Sequence, residues 1–138
     1  MNRKGFTLLE VMIVVIIVGI LSSVALPQYI TTLEKGKSAE AISNIGSLRT
    51  SLDRYWYQNA AGTTDIDELD VDNPNTVTNR LYQYEITNSC TSTARVYTIR
   101  AERIGKETDY WAQWTQTSNV EGKLTRSSKL GGMRVPEG

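Results

Sequence analysis

Few side chains in this sequence are placed to do chemistry, and the most informative of them is a carboxylate. Glu10 is the only charged residue in the run Phe6 to Leu26, FTLLEVMIVVIIVGILSSVAL. A charge at the centre of a membrane helix costs about 2.5–3.5 kcal/mol on insertion scales, less near its end, and such residues are functional by default. The alternative for Glu10 is a side chain that reaches back to the headgroup layer. The chain has no histidine, which removes His-based metal and acid–base chemistry and every Ser/His/Asp arrangement. Its one cysteine, Cys90, cannot close an internal disulfide. No glycine loop of the phosphate-cradling kind is present. Asp65, Asp67, Asp70 and Asp72 are close in sequence, but they lack the internal glycine and closing glutamate of an EF-hand loop. We therefore expect no catalytic residue, no metal and no cofactor.

The element that must carry Glu10 is the run itself. As a helix rising 1.5 Å per residue, a stretch of this length reaches about 31 Å, close to the hydrocarbon thickness of a bilayer. Val11 to Val18 is apolar on every face, which a soluble domain this small could hardly surround. A cleaved secretory signal explains Arg3 and Lys4, and Ser22-Ser23-Val24-Ala25 would be its weak cleavage site. The run is, however, longer than the 7–15 apolar residues typical of such signals. A retained membrane helix fits better. Arg3 and Lys4 precede it, while Glu34, Lys35, Lys37 and Glu40 cancel after it, so the N-terminus is expected in the cytoplasm and the bulk of the chain outside.

Gly5-Phe6-Thr7-Leu8-Leu9-Glu10, the apolar run and then Pro27 resemble the N-terminal signature of type IV pilins and of the pseudopilins of type II secretion. The resemblance covers about the first thirty residues closely and the following helix loosely. It implies a leader of Met1 to Gly5, cut by a prepilin peptidase between Gly5 and Phe6, with methylation of the new amine of Phe6. It implies that Glu10 pairs with the amino terminus of a neighbouring subunit during assembly. It also implies that the stretch between Gly19 and Pro27 can lose helix in a filament. The residues alone say less: Pro27 removes an N–H and clashes with the carbonyl of Ser23, and Gly19 lowers helix propensity, so a kink is the plain expectation.

Beyond Pro27 the pattern becomes amphipathic. Ala41, Ile42, Ile45, Leu48, Leu52, Tyr55 and Trp56 recur at three- and four-residue steps, predicting a helix to about residue 58 with one buried stripe and Gly36 as a point where it can kink. Residues 59–80 read as loop, with a helical turn over Ile66–Asp70 started by Asp65. Residues 81–126 read as antiparallel strands. Tyr82, Tyr84 and Ile86 alternate with polar residues, as do Tyr97, Ile99 and Ala101; Tyr110, Ala112 and Trp114 share a side opposite Trp111; a weaker strand covers Lys123–Arg126. Turns fall at Gly105-Lys106-Glu107-Thr108 and Asn119-Val120-Glu121-Gly122. Ser127 to Gly138 reads as a loose tail. The expected division is leader 1–5, membrane and assembly half of the helix 6–30, and head 31–138. The fold class is α+β, a long N-terminal helix packed on a small antiparallel sheet.

The function expected is a structural subunit, not an enzyme, of a type IV pilus. It would wait in the bacterial inner membrane among lipid, be processed, and form a homopolymer through its N-terminal helices with the help of the assembly machinery. It would end in an extracellular pilus or, as the alternative, a periplasmic pseudopilus of type II secretion. Formal net charge is zero, falling to −2 with loss of Arg3 and Lys4, so no specific nucleic acid is expected. A DNA-binding competence pilin would need a basic patch; Arg95, Arg100, Arg103 and Lys106 are the modest candidate. Many pilins close a C-terminal loop with two cysteines, and Cys90 has no partner for that; a buried thiol is the expectation.

Overall fold

A computed structural model describes residues 5–106 and 109–132. Helix α1 spans Leu8–Asn59 without a break at Gly36 or at Pro27. It is followed by short 3-10 turns at Ile66–Glu68 and Pro74–Thr76, then strands β1 (Tyr82–Asn88), β2 (Tyr97–Arg103), β3 (Trp111–Gln116) and β4 (Gly122–Arg126), and a last 3-10 turn at Ser128–Leu130. The strands form one antiparallel sheet in sequence order. The chain divides into two compact units, one ending at Leu33 and one beginning at Glu34.

In the first unit every described side chain is exposed, including Ile13, Ile16, Ile20 and Leu26. Helix continues through Pro27, and side-chain hydroxyls bond carbonyls on either side of it: Ser23 Oγ donates to Ile20 O (2.7 Å) and Thr31 Oγ1 to Pro27 O (3.0 Å). Helix thus runs unbroken through Gly19, Pro27 and Gly36.

The second unit holds the core. Ala41, Ile45, Leu48 and Leu52 recur on one face of α1 and pack with Tyr82, Tyr84 and Ile86 of β1, Tyr97, Ile99 and Ala101 of β2, and Ala112 of β3. Strict alternation places these residues on one side of the sheet, since successive strand side chains point to opposite faces. The register aligns Tyr84 with Ala101 and Ala101 with Ala112, so two small residues sit in the middle strands where the helix crosses. Arg49, on the polar side of the stripe, lies over the Trp114 ring at 4.0 Å.

Two expectations are corrected. The turn over Ile66–Asp70 is a 3-10 turn of Ile66–Glu68, capped by Asp65, whose carboxylate accepts from Asp67 N–H (2.9 Å). Residues 127–132 are not loose. Leu130 is 1% exposed inside the core, Ser127 is buried, and Gly131 closes the turn in the left-handed region at φ 86°. The expectation rested on Gly131-Gly132 and Pro136, and missed that one leucine suffices to anchor so short a turn. Residues 133–138, like Met1–Lys4 of the leader and Glu107-Thr108 of the β2–β3 turn, lie outside the described residues.

Candidate functional site: the N-terminal assembly segment

Thr7 and Glu10 form a reciprocal cap at the head of α1. The Glu10 N–H donates to Thr7 Oγ1 (3.3 Å), and the Thr7 N–H donates back to Glu10 Oε2 (3.2 Å). Thr7 Oγ1 also donates to Glu10 Oε2 (3.3 Å). This is the S/T-x-x-E capping box, which satisfies two of the donors left open at a helix start and sets a carboxylate against the positive end of the helix. The signal was present in the sequence as Thr7-Leu8-Leu9-Glu10. Sequence reasoning treated Glu10 as a lone charge and missed Thr7.

Gly5 and Phe6 precede the helix and are exposed, Phe6 by 86%. A Cβ added at Gly5 or at Gly19 would meet no atom within 4 Å. Neither glycine is demanded by packing inside this chain, so any requirement for smallness must come from something that approaches from outside. Glu10, Gly19 and Pro27 are strung along one exposed helix and not brought to one point. Among the described residues α1 is the one helix long and apolar enough to cross a membrane, and its most apolar window is wholly exposed.

The remaining sequence candidates are engaged in the second unit. Arg95 pairs with Asp53 (2.9 Å), Arg100 with Glu102 (2.7 Å) while lying over Trp111, and Arg103 with Glu34 (3.1 Å). Each of these arginines is held by a carboxylate. Burial pushes the Glu34 carboxyl up, but hydrogen bonds from Lys37 and Arg103 outweigh it and hold the group below the usual range. In the acidic loop, Asp70 accepts from Arg54 Nε (2.7 Å) and from Ser51, which hold its carboxyl down at about 2. Asp67 accepts from Asn73. No group of three or more metal-ligating side chains is placed together among the described residues. Cys90 is half-buried, not fully buried; its thiol donates to Val96 O (3.4 Å), and burial pushes its pKa up.

Residues 1–26 match the family model for the prokaryotic N-terminal methylation motif. Similar curated proteins include type II secretion system core protein G of Pectobacterium carotovorum subsp. carotovorum, 42% identical over 58 residues that make up 42% of this chain and 37% of that protein. The same protein of Vibrio cholerae is 41% identical over 63 residues, 46% of this chain and 43% of the relative. The type IV major fimbrial protein FimA of Dichelobacter nodosus is 43% identical over 51 residues, 37% of this chain and 33% of the relative. The chain thus matches less than half the length of these relatives. No solved structure matches it. The chain thus carries the prokaryotic N-terminal methylation motif over its apolar run and, over that part of its length, is similar to type II secretion core protein G and type IV fimbrial proteins, with a long N-terminal helix and a four-stranded antiparallel sheet.

Proposed function

We propose that this protein is a structural subunit of a type IV pilus, cut between Gly5 and Phe6, methylated at Phe6, and polymerised through residues 6–33. One observation carries the reading: a helix with no charge between Glu10 and Glu34 buries none of its first-unit side chains within its own chain. Apolar surface on this scale needs a bilayer or other copies of the same helix. Lipid serves before assembly in the inner membrane. Neighbouring helices serve afterwards, with Gly19 open to close approach.

Glu10 then has two partners in succession. In the single chain Thr7 satisfies its carboxylate. After cleavage the amine of Phe6 becomes a cation in the same apolar layer, and a neighbour's Glu10 is its natural acceptor. Desolvation offsets much of the Coulomb gain, so this pair sets register more than affinity. Gly19 to Pro27, helical in the single chain, is the stretch we propose to loosen on packing.

The second reading, a pseudopilin of type II secretion, is favoured by the protein G relatives, whose matches run to 63 residues against 51 for the fimbrial protein. The two readings part on one experiment. Filaments sheared from intact cells are purified and their subunit identified by mass. This chain as the main component supports the pilus; its absence there, with loss of protein secretion on deletion, supports the pseudopilus.

A further inference from the structure

Formal charge sums to zero over the chain but is unevenly spread in the second unit. The Glu34–Arg103 pair, with Tyr82 opposite Arg103 in the ladder, brings the entry of α1 into this unit to one end of the sheet, beside the start of β1 and the finish of β2. The register carries that end on to the start of β3 and the finish of β4, with Glu102 opposite Trp111 and Ala112 opposite Arg126. Even with Glu107 of the β2–β3 turn counted in, residues 34–37, 79–81, 103–110 and 126–130 hold seven Lys or Arg and three Asp or Glu. At the other end Trp56 meets Thr91 and Arg95 meets Asn119. There, residues 57–65, 88–97 and 116–122 hold one Arg and two acids, Asp65 and Glu121.

The described carboxylates at the basic end are already met. Glu34 is buried between Lys37 and Arg103, and Asp109 pairs with Lys129. Lys35, Lys106 and Arg126 are exposed, and Arg80 is partly exposed with its guanidinium on the neutral Gln83. None of these four has a carboxylate partner among the described residues. Ile104, 44% exposed, is two residues from Lys106 and donates its N–H to Leu81 O, next to Arg80.

Chain length limits how far this end lies from a bilayer. Residues 27–33 separate the apolar run from Glu34, and as helix that step is about 12 Å. The headgroup layer takes up about 5–8 Å of it. Tyr29, 61% exposed, is of the type found at that level. The remainder is shorter than the Debye length of about 8 Å at physiological ionic strength. We propose that the basic end of the second unit is a docking face for anionic phospholipid headgroups, used while the subunit waits in the membrane. The inference rests on the reading above, in which residues 6–26 cross the bilayer before assembly. Lys35, Arg80 and Lys106 supply the attraction, as basic clusters beside a membrane helix do for acidic lipid, and Ile104 the apolar contact. An anionic surface would thereby hold the unit in one orientation before assembly.

The test uses the full chain in nanodiscs of phosphatidylcholine, alone or with about a third phosphatidylglycerol, each doped with a lipid spin-labelled at its headgroup. The readout is relaxation enhancement of backbone amides. We expect strong enhancement at Lys35, Ile104 and Lys106 in the anionic discs, at least threefold weaker in the neutral ones, and the least at Asp65 and Glu121. High salt, or Arg80→Glu with Lys106→Glu, should bring the anionic discs down to the neutral level. Circular dichroism matching the parent confirms that the variant is folded. Equal enhancement in the two lipids, or enhancement that ignores salt and charge reversal, would overturn the proposal and leave the tether alone to hold the unit near the bilayer. Resonance shifts at the basic end that grow with the number of copies per disc in neutral lipid would give the face to the acidic end of a second copy, and would overturn it too. A lipid spin-labelled in its acyl chain separates the two failures. If it relaxes Val11 to Val18, absence of the headgroup effect counts against this inference alone. If it does not, the membrane reading falls and takes the inference with it.

Discussion

Replacing Arg103 by alanine should destabilise the second unit. The Arg103 side chain is only 11% exposed and Glu34 only 6%. Its Nε donates to Glu34 Oε2 at 3.1 Å, its Nη1 to Leu81 O at 2.9 Å, and its guanidinium lies 5.7 Å from the Tyr82 ring. Removing one partner of a buried pair costs about 3–5 kcal/mol, because the other charge stays behind without it. Here Lys37 still reaches Glu34 Oε1 at 3.0 Å, so part of the charge remains met. The expected loss is therefore below that range, about 2–3 kcal/mol. The sign with pH follows from the depressed Glu34. Its folded pKa lies below the ordinary glutamate value, so its contribution is complete above that ordinary value and is lost as pH falls through the folded one. Arg103→Ala should weaken that dependence along with the stability, while Lys37 keeps part of it. The assay is urea unfolding of the full chain in micelles, followed by tryptophan fluorescence. All three tryptophans, Trp56, Trp111 and Trp114, lie beyond Glu34, so the signal reports the second unit alone. A loss under about half a kcal/mol, typical of an exposed pair, would refute the reasoning. So would an acid profile unchanged from the parent.

Leu48→Ala, at a site 1% exposed, should cost about 2–5 kcal/mol in the same unfolding assay; under about half would mean the stripe does not face a core. Thr7→Val keeps the shape but removes the cap hydroxyl, worth about 1 kcal/mol, so amide exchange at Glu10 in micelles should quicken about fivefold; unchanged exchange would discount the capping box. Arg54→Ala should raise the Asp70 carboxyl from about 2 toward the ordinary aspartate value, read by carboxyl carbon shifts across an acid titration. An Asp70 that still titrates near about 2 would assign the depression to Ser51 instead.

The parts of the fold that the sequence made legible are those governed by period. Ala41, Ile45, Leu48 and Leu52 declare a helix face, and Tyr82-Tyr84-Ile86 and Tyr97-Ile99-Ala101 declare half-buried strands, because burial on one side repeats at the spacing of the backbone. What stayed hidden depends on contacts between distant residues. Nothing in the sequence says that Arg103 meets Glu34, 69 positions away, or that Asn75 closes the edge of β1. Leu130 looked like part of a tail because a single apolar residue has no period. The cap of Thr7 on Glu10 is legible in the sequence, because it needs only the local spacing Thr7-Leu8-Leu9-Glu10.

The account rests on Glu10 serving assembly rather than membrane insertion, and its replacement by alanine tests this directly. On the function proposed above, insertion depends on the apolar run and cleavage on Gly5-Phe6, so both should proceed in Glu10→Ala. An incoming Phe6 amine would then be buried with no carboxylate to meet it, which is costly in a medium without water. The measurement is the ratio of sheared surface filament to mature subunit held in the membrane, in variant and parent. We predict a sharp fall in filament with processed subunit accumulating in the membrane. Filament yield equal to the parent's would contradict the account, leaving apolar packing alone to set the register.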